Sequence, residues 1–112
     1  MSRTPEFVEK SLHEWRPLRR EASTGVEARV LLRRPRLVIA TLRFDRSATI
    51  DEHAAPFSID VACLSGEGFV SVGGMVESLR SGETVTWPAG VPHRLWTDGT
   101  PMETLMVEHH EP

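Results

Sequence analysis

The chain has no tyrosine, a single cysteine and only 6% aromatic residues among its 112 positions. One thiol cannot close an intramolecular disulfide, so the fold does not depend on oxidation. So few aromatics leave no stacking platform of the kind that single-stranded nucleic acids need. No apolar run approaches the roughly 20 residues that cross a bilayer as a helix. No charged-then-apolar leader opens the sequence. Recognition-helix patterns, zinc-finger spacings, internal repeats and low-complexity segments are also missing. These absences point to one compact domain in the cytoplasm, with neither membrane nor nucleic acid as partner.

Charge is present but unevenly spread. Residues 1–46 hold eleven Lys or Arg against six Asp or Glu, a balance of +5. Residues 47–112 hold two against ten, a balance of −8. The arginines are scattered from Arg16 to Arg46 rather than clustered. That pattern reads as exposed strand faces and ion pairs with the acidic half, not as a phosphate-binding stripe.

The apolar pattern is that of an all-β domain. Residues 5–14, with Phe7 and Leu12, and then Trp15 suggest a short N-terminal arm or helical turn. Arg16 to Gly25 reads as a loop. Over Glu27–Arg33 the residues alternate, with Glu27, Arg29 and Arg33 on one face and Ala28, Val30 and Leu32 on the other. That is a half-buried strand. Arg34-Pro35 ends it, and Leu37–Phe44 is apolar enough for a strand covered on both faces. Further strands are expected at Ile59–Leu64, Phe69–Val72, Met75–Leu79, Thr84–Trp87, His93–Thr97 and Glu103–His109. Gly73-Gly74 is a two-residue hairpin signal. Many short strands at close spacing suggest a sandwich or barrel.

The most specific stretch is GETVTWPAGVPHRLWT, Gly82 to Thr97. Thr84–Trp87 is β-branched and aromatic, as a strand prefers. Pro88 cannot donate to a ladder and ends that strand. Gly90 tolerates the positive φ of a tight corner. His93 then opens the next strand. Gly82, Pro88, Gly90 and His93 match the spacing G-x5-P-x-G-x2-H-x3-N, the second signature of the cupin superfamily, with Thr97 in place of the final Asn. The chain therefore resembles a small single-domain cupin over residues 36–107. The resemblance implies a double-stranded β-helix, or jelly-roll, barrel over 36–112, preceded by an arm and first strand over 1–35. It also implies a barrel interior that holds His93.

The first cupin signature, G-x5-H-x-H-x3,4-E-x6-G, is eroded. His53 and Gly66 fit it, but Ser47, Ala55 and Ile59 replace the opening Gly, the second His and the Glu. The stretch Glu52–Phe57, EHAAPF, is similar to small cupins that carry E-H-x-A-P in place of H-x-H. Two of the four metal ligands that the family commonly uses thus remain, His53 and His93. A catalytic zinc generally takes three protein ligands, and a non-haem iron two His and a carboxylate. Asp60 lies one residue beyond the carboxylate position, where strand alternation turns it away from Ile59.

The residues expected to line a ligand pocket are His53, His93, Phe57, Ile59, Val61, Cys63 and Trp87. Cys63 reads as a small buried hydrophobe, not a nucleophile. His109 and His110 are adjacent on a strand and so point to opposite faces. His13 has no motif context. The first expectation for function is a small-molecule-binding cupin with His53 and His93 as polar anchors in an apolar barrel. The alternative is a metal-dependent enzyme of dioxygenase or isomerase type. Its reduced two-His site would hold one divalent ion (Fe, Mn, Ni, Cu or Zn), weakly. A third is a structural or regulatory dimer with a vestigial pocket. A homodimer is implied by the resemblance, because small cupins often pair N-terminal strands.

Overall fold

The computed structural model describes residues 14–18 and 23–110. Every described element is a strand, and all pairings are antiparallel. The strands are β1 (Arg16–Pro17), β2 (Ser23–Arg34), β3 (Leu37–His53), β4 (Ser58–Val72), β5 (Met75–Arg80), β6 (Thr84–Trp87), β7 (His93–Trp96) and β8 (Met102–His109). The arm expected over residues 5–14, and His13 with it, lies outside the described residues, Glu14 apart.

Two long strands give the fold its shape. The first part of β3 pairs with β8, and its last part with β7. The first part of β4 pairs with β6 and β8, and its second part with β5 and β7. Each long strand therefore serves two sheet layers, which wrap into the jelly-roll barrel that the motifs imply. This merging corrects two boundaries. Ile59–Leu64 and Phe69–Val72 are one strand, and Leu37–Phe44 runs on to His53. The expected loop over Arg16–Gly25 is also corrected, since Arg16–Pro17 pairs with Glu27–Ala28 and β2 already begins at Ser23.

Close approach of backbone explains why β4 contains Gly66. It adopts φ of 72°, and a Cβ there would lie 1.8 Å from the carbonyl oxygen of Pro101. Only glycine lets β4 pass this point as it turns from one layer to the other. The core between the layers is built from alternating residues such as Leu42, Phe44, Val61, Val70 and Leu95. Each such side chain, fully buried, contributes roughly 1.5–3 kcal/mol. Leu64, Met75 and Val76 remain exposed on the outside.

The register of β2 against β3 shifts between Thr24 and Val26, and again between Val30 and Leu32. Val30 pairs with Ala40, but Leu32 pairs with Ile39, so β2 uses two residues where β3 uses one. This β-bulge at Leu31 shifts the phase of everything that follows it in the strand. Arg33 consequently falls opposite Val38, on the face of Ala28 and Val30, and not with Glu27 and Arg29 as regular alternation predicts.

On the outer face of β2 and β3, Arg29 and Arg43 lie over the ring of Trp15, at 4.7 and 4.3 Å from its centroid. Arg43 also bonds Glu27 at 2.9 Å. Part of the basic half is thus occupied in local contacts. Among the described residues, no helix is long and apolar enough to cross a membrane.

Candidate functional site

The two motif histidines come together as a cross-strand pair. His53 is the last residue of β3 and His93 the first of β7, and the two are directly opposite in the ladder. An irregularity in β3 makes this possible. Between Ile50 and His53 the β3 strand uses three steps against two on β7. The extra residue puts His53 on the inward face with Ile50, where an unbroken strand would turn it outward.

The corner that precedes β7 is tied to the loop that follows β3. The amide of Gly90 donates to the carbonyl of Ala55 at 2.8 Å, and Gly90 has φ of 76°. Ala55 and Gly90 therefore clamp the two histidine-bearing segments together. The Thr97 substitution keeps a role for that motif position. Its hydroxyl accepts from the Ala48 amide at 2.9 Å and donates to the carbonyl of Asp45. Thr97 is buried and locks the end of β7 onto the corner of β3.

The rings are fixed from three sides. Trp87 stacks on His93 with centroids 3.9 Å apart and planes 13° from parallel. His53 meets His93 edge-on, at 4.4 Å and 74°. The Nε2 atoms of the two histidines are 3.1 Å apart. His53 Nδ1 lies 2.9 Å from the carbonyl of Asp51, which can only accept, so Nδ1 carries a proton. In neutral His53, Nε2 is then the acceptor and His93 Nε2–H the donor. The result is a short hydrogen-bonded chain from a backbone carbonyl through two imidazoles. His93 is 1% exposed, while His53 is only partly buried.

His53 opens onto a cavity of about 200 Å³ inside the barrel. Ala28 and Val30 of β2, Ala40 and Leu42 of β3, Ile59 of β4 and Met106 of β8 supply apolar wall. Trp87, Arg33 and Glu108 also line it. Of the residues expected from sequence, His53, Ile59 and Trp87 line this cavity, and His93 lies against both His53 and Trp87. Val61 and Cys63 sit in the packed core, 0% and 2% exposed, and do not line it. Burial pushes the Cys63 thiol up from its ordinary pKa, as befits a core residue. Phe57 lies to one side, with its ring 3.9 Å from that of His110.

Arg33, Glu108 and Met106 were not expected in the wall. Glu108 and Met106 were discoverable, because Met102, Thr104, Met106 and Glu108 are in one phase along β8. Arg33 had no signal, because a one-residue bulge reverses its side. His109 and His110 do face opposite ways. His109 contacts Asp60 at 2.8 Å and His110 contacts Glu108 at 2.8 Å.

His53 and His93 are the donors that the barrel interior offers to a metal ion. Two imidazole Nε2 atoms 3.1 Å apart can both reach one ion at bonds of about 2.0–2.1 Å. No group of three His, Cys, Asp or Glu that could hold an ion occurs among the described residues. Asp60 points outward to Thr86 and His109, and Ile59 holds the inward position beside it. The residues thus supply two ligands and do not make the three- or four-ligand centre of the family signature.

Known proteins match this architecture. The family description for the cupin domain covers residues 45–108, more than half of the chain. The chain belongs to the cupin family. Among solved structures, this cupin is similar to an RmlC-like cupin from Shewanella frigidimarina, with TM-score 0.80 and 22% identity over 98% of this chain and 93% of that one. It is similar to the polyketide cyclase RemF from Streptomyces resistomycificus, with TM-score 0.81 and 19% identity over 99% and 81%. It is also similar to KdgF from Halomonas sp., with TM-score 0.79 and 17% identity over 89% and 88%. At these identities the likeness is one of fold. No curated protein matches this cupin.

Proposed function

We propose that this cupin binds a small organic molecule in the barrel cavity, with His53 as the polar anchor at its wall and His93 fixing the orientation of His53. The observation that carries this reading is the cavity itself, largely apolar and ending on an imidazole held at both nitrogens. Such a site is the common form of a small-molecule pocket: apolar walls and a few placed polar groups. At about 200 Å³ it suits a compact metabolite and not a drug-sized ligand. Ala55 and Ile59, standing where the family signature has ligands, favour an organic ligand over a metal centre. That RemF is a polyketide cyclase is compatible with an organic ligand in this barrel.

A second reading rests on the 3.1 Å spacing of the Nε2 atoms. In it, His53 and His93 together hold one divalent ion, and the protein is a metal-dependent dioxygenase or isomerase. A bound ion would supply Lewis acidity towards a substrate oxygen. The ion would take the place of the hydrogen bond between the two imidazoles, with the His93 proton moving from Nε2 to Nδ1. For either reading we take the working form to be a homodimer in the cytoplasm. The exposed Leu64, Met75 and Val76 offer apolar surface to a partner subunit, and a free, buried Cys63 suits a reducing compartment.

Thermal-shift screening of the untagged protein against small organic acids, alcohols and amides tests the first reading, with elemental mass spectrometry run in parallel. The expected result is stabilisation by some compounds in wild type that His53→Ala abolishes, without stoichiometric metal. Absence of any stabilising compound, or stabilisation unchanged in His53→Ala, rejects it. Near-stoichiometric metal that is lost in both His53→Ala and His93→Ala puts the second reading first.

A further inference from the structure

The cavity wall carries one guanidinium. Arg33 lines the cavity because the Leu31 bulge turns it to the side of Ala28 and Val30. It makes no hydrogen bond or ion pair among the described residues. Arg33 is exposed, as are its neighbours Arg34 and Arg36, but of the three only Arg33 lines the cavity, so the guanidinium stands at its solvent-facing side. Arg33 pairs with Val38, and Val38 pairs with Glu108, so the three form a row across β2, β3 and β8. With strands about 4.8 Å apart, the backbones of Arg33 and Glu108 are separated by about 10 Å. Glu108 does not close this gap towards Arg33, because its Oε1 lies 2.8 Å from His110 Nε2. The cavity therefore has an apolar body, an imidazole on its wall, and an uncommitted cation.

Burying an acid in such a cavity would otherwise be costly, since an unpaired carboxylate loses its hydration. A guanidinium offers a planar fork of donors that matches a carboxylate in two parallel bonds. We propose that Arg33 is a ligand-binding residue and that the cavity takes small carboxylic acids. The carboxylate pairs with Arg33, and the apolar body lies along Val30, Ala40, Ile59 and Met106 towards His53. This rests on the reading that the cavity binds an organic molecule, and it adds the chemical class. The bulge is then a specificity device, because regular alternation would put Leu32 in the wall and leave the cavity without a cation.

The test uses matched pairs of acid and neutral amide as probes: benzoate with benzamide, phenylacetate with phenylacetamide, and hexanoate with hexanamide. Each is titrated at neutral pH into the full-length protein and followed by amide-resolved NMR at cavity residues. At least one acid is expected to bind about tenfold or more tightly than its amide, the size of a lost charged hydrogen-bond pair. Arg33→Gln should remove that preference, weakening the acid about tenfold more than its amide. Arg34→Gln, one residue away and outside the cavity, should keep it. A preference that survives Arg33→Gln, or that Arg34→Gln erases equally, overturns the assignment. Amides that bind as well as their acids overturn Arg33 alone. Silence from every probe at the cavity resonances overturns this inference together with the reading beneath it.

Discussion

The amide of Gly90 donates to the carbonyl of Ala55 across 2.8 Å, joining the corner before β7 to the loop after β3. Neither residue lines the cavity, yet this bond sets the approach of the segments that carry His53 and His93. Any change that opens the corner should be felt first in the spacing of the two imidazoles.

Two glycines should respond very differently to the same substitution. At Gly90 a Cβ meets nothing within 4 Å, so Gly90→Ala pays only for positive φ, roughly 1–2 kcal/mol. At Gly66 the added Cβ would fall 1.8 Å from the Pro101 oxygen, on backbone that cannot step aside cheaply. Gly66→Ala should therefore lose several kcal/mol or fail to fold. Urea unfolding of both variants checks this, and equal losses would contradict it.

Thr97→Val is nearly isosteric but removes a hydroxyl that both accepts from Ala48 and donates to Asp45. It leaves two backbone groups without that partner in a buried corner. The expected loss is about 1–3 kcal/mol, read as a lower urea midpoint with unchanged slope. Thr97→Asn, which puts back the residue of the family signature, should recover part of it.

Acid should weaken the outer face through Asp60. The Thr86 hydroxyl, at 2.6 Å, and then the His109 imidazole hold its carboxyl below the ordinary value of 3.8. A carboxyl depressed in the folded state contributes stability that is present above the unfolded pKa. That contribution is lost as pH falls through the lower folded one. Asp60 is partly exposed, so the contribution is at most about 1 kcal/mol. Asp60→Asn should be less stable than wild type at pH 6 by up to that amount, with the gap closing below about pH 3.8. A gap that widens in acid would reverse the assignment.

Trp87 should govern the orientation of His93. Its ring is 2% exposed and stacked on the imidazole at 3.9 Å. Trp87→Leu should lose about 3 kcal/mol of stability or more through the cavity it leaves. It should also broaden or shift the His93 ring resonances in NMR spectra. Sharp, unshifted His93 resonances in a folded variant would show that the stack does not fix the ring.

Much of the architecture was legible because the informative residues obey local rules. Pro88 ends β6 and Gly90 turns the corner in any surroundings, so β6 and the start of β7 fall where the motif puts them. Length was harder to read. β3 and β4 each contain exposed, polar stretches in mid-strand, such as Asp45–Ser47 and Leu64–Glu67, that read as breaks. They are the places where a strand passes from one layer to the other. The site was half legible. His93 follows from spacing alone, but the inward turn of His53 and of Arg33 depends on bulges that no residue type announces.

Those two bulges have a consequence for how relatives are compared. A residue gained or lost near Leu31, or between Ile50 and His53, exchanges every inward side chain beyond it for its outward neighbour. Two sequences that differ by one such step can keep the same composition and fold while presenting opposite chemistry to the barrel interior. Ligand preference in this group would then be written in the register of β2 and β3, and an ungapped, column-by-column comparison would overlook it.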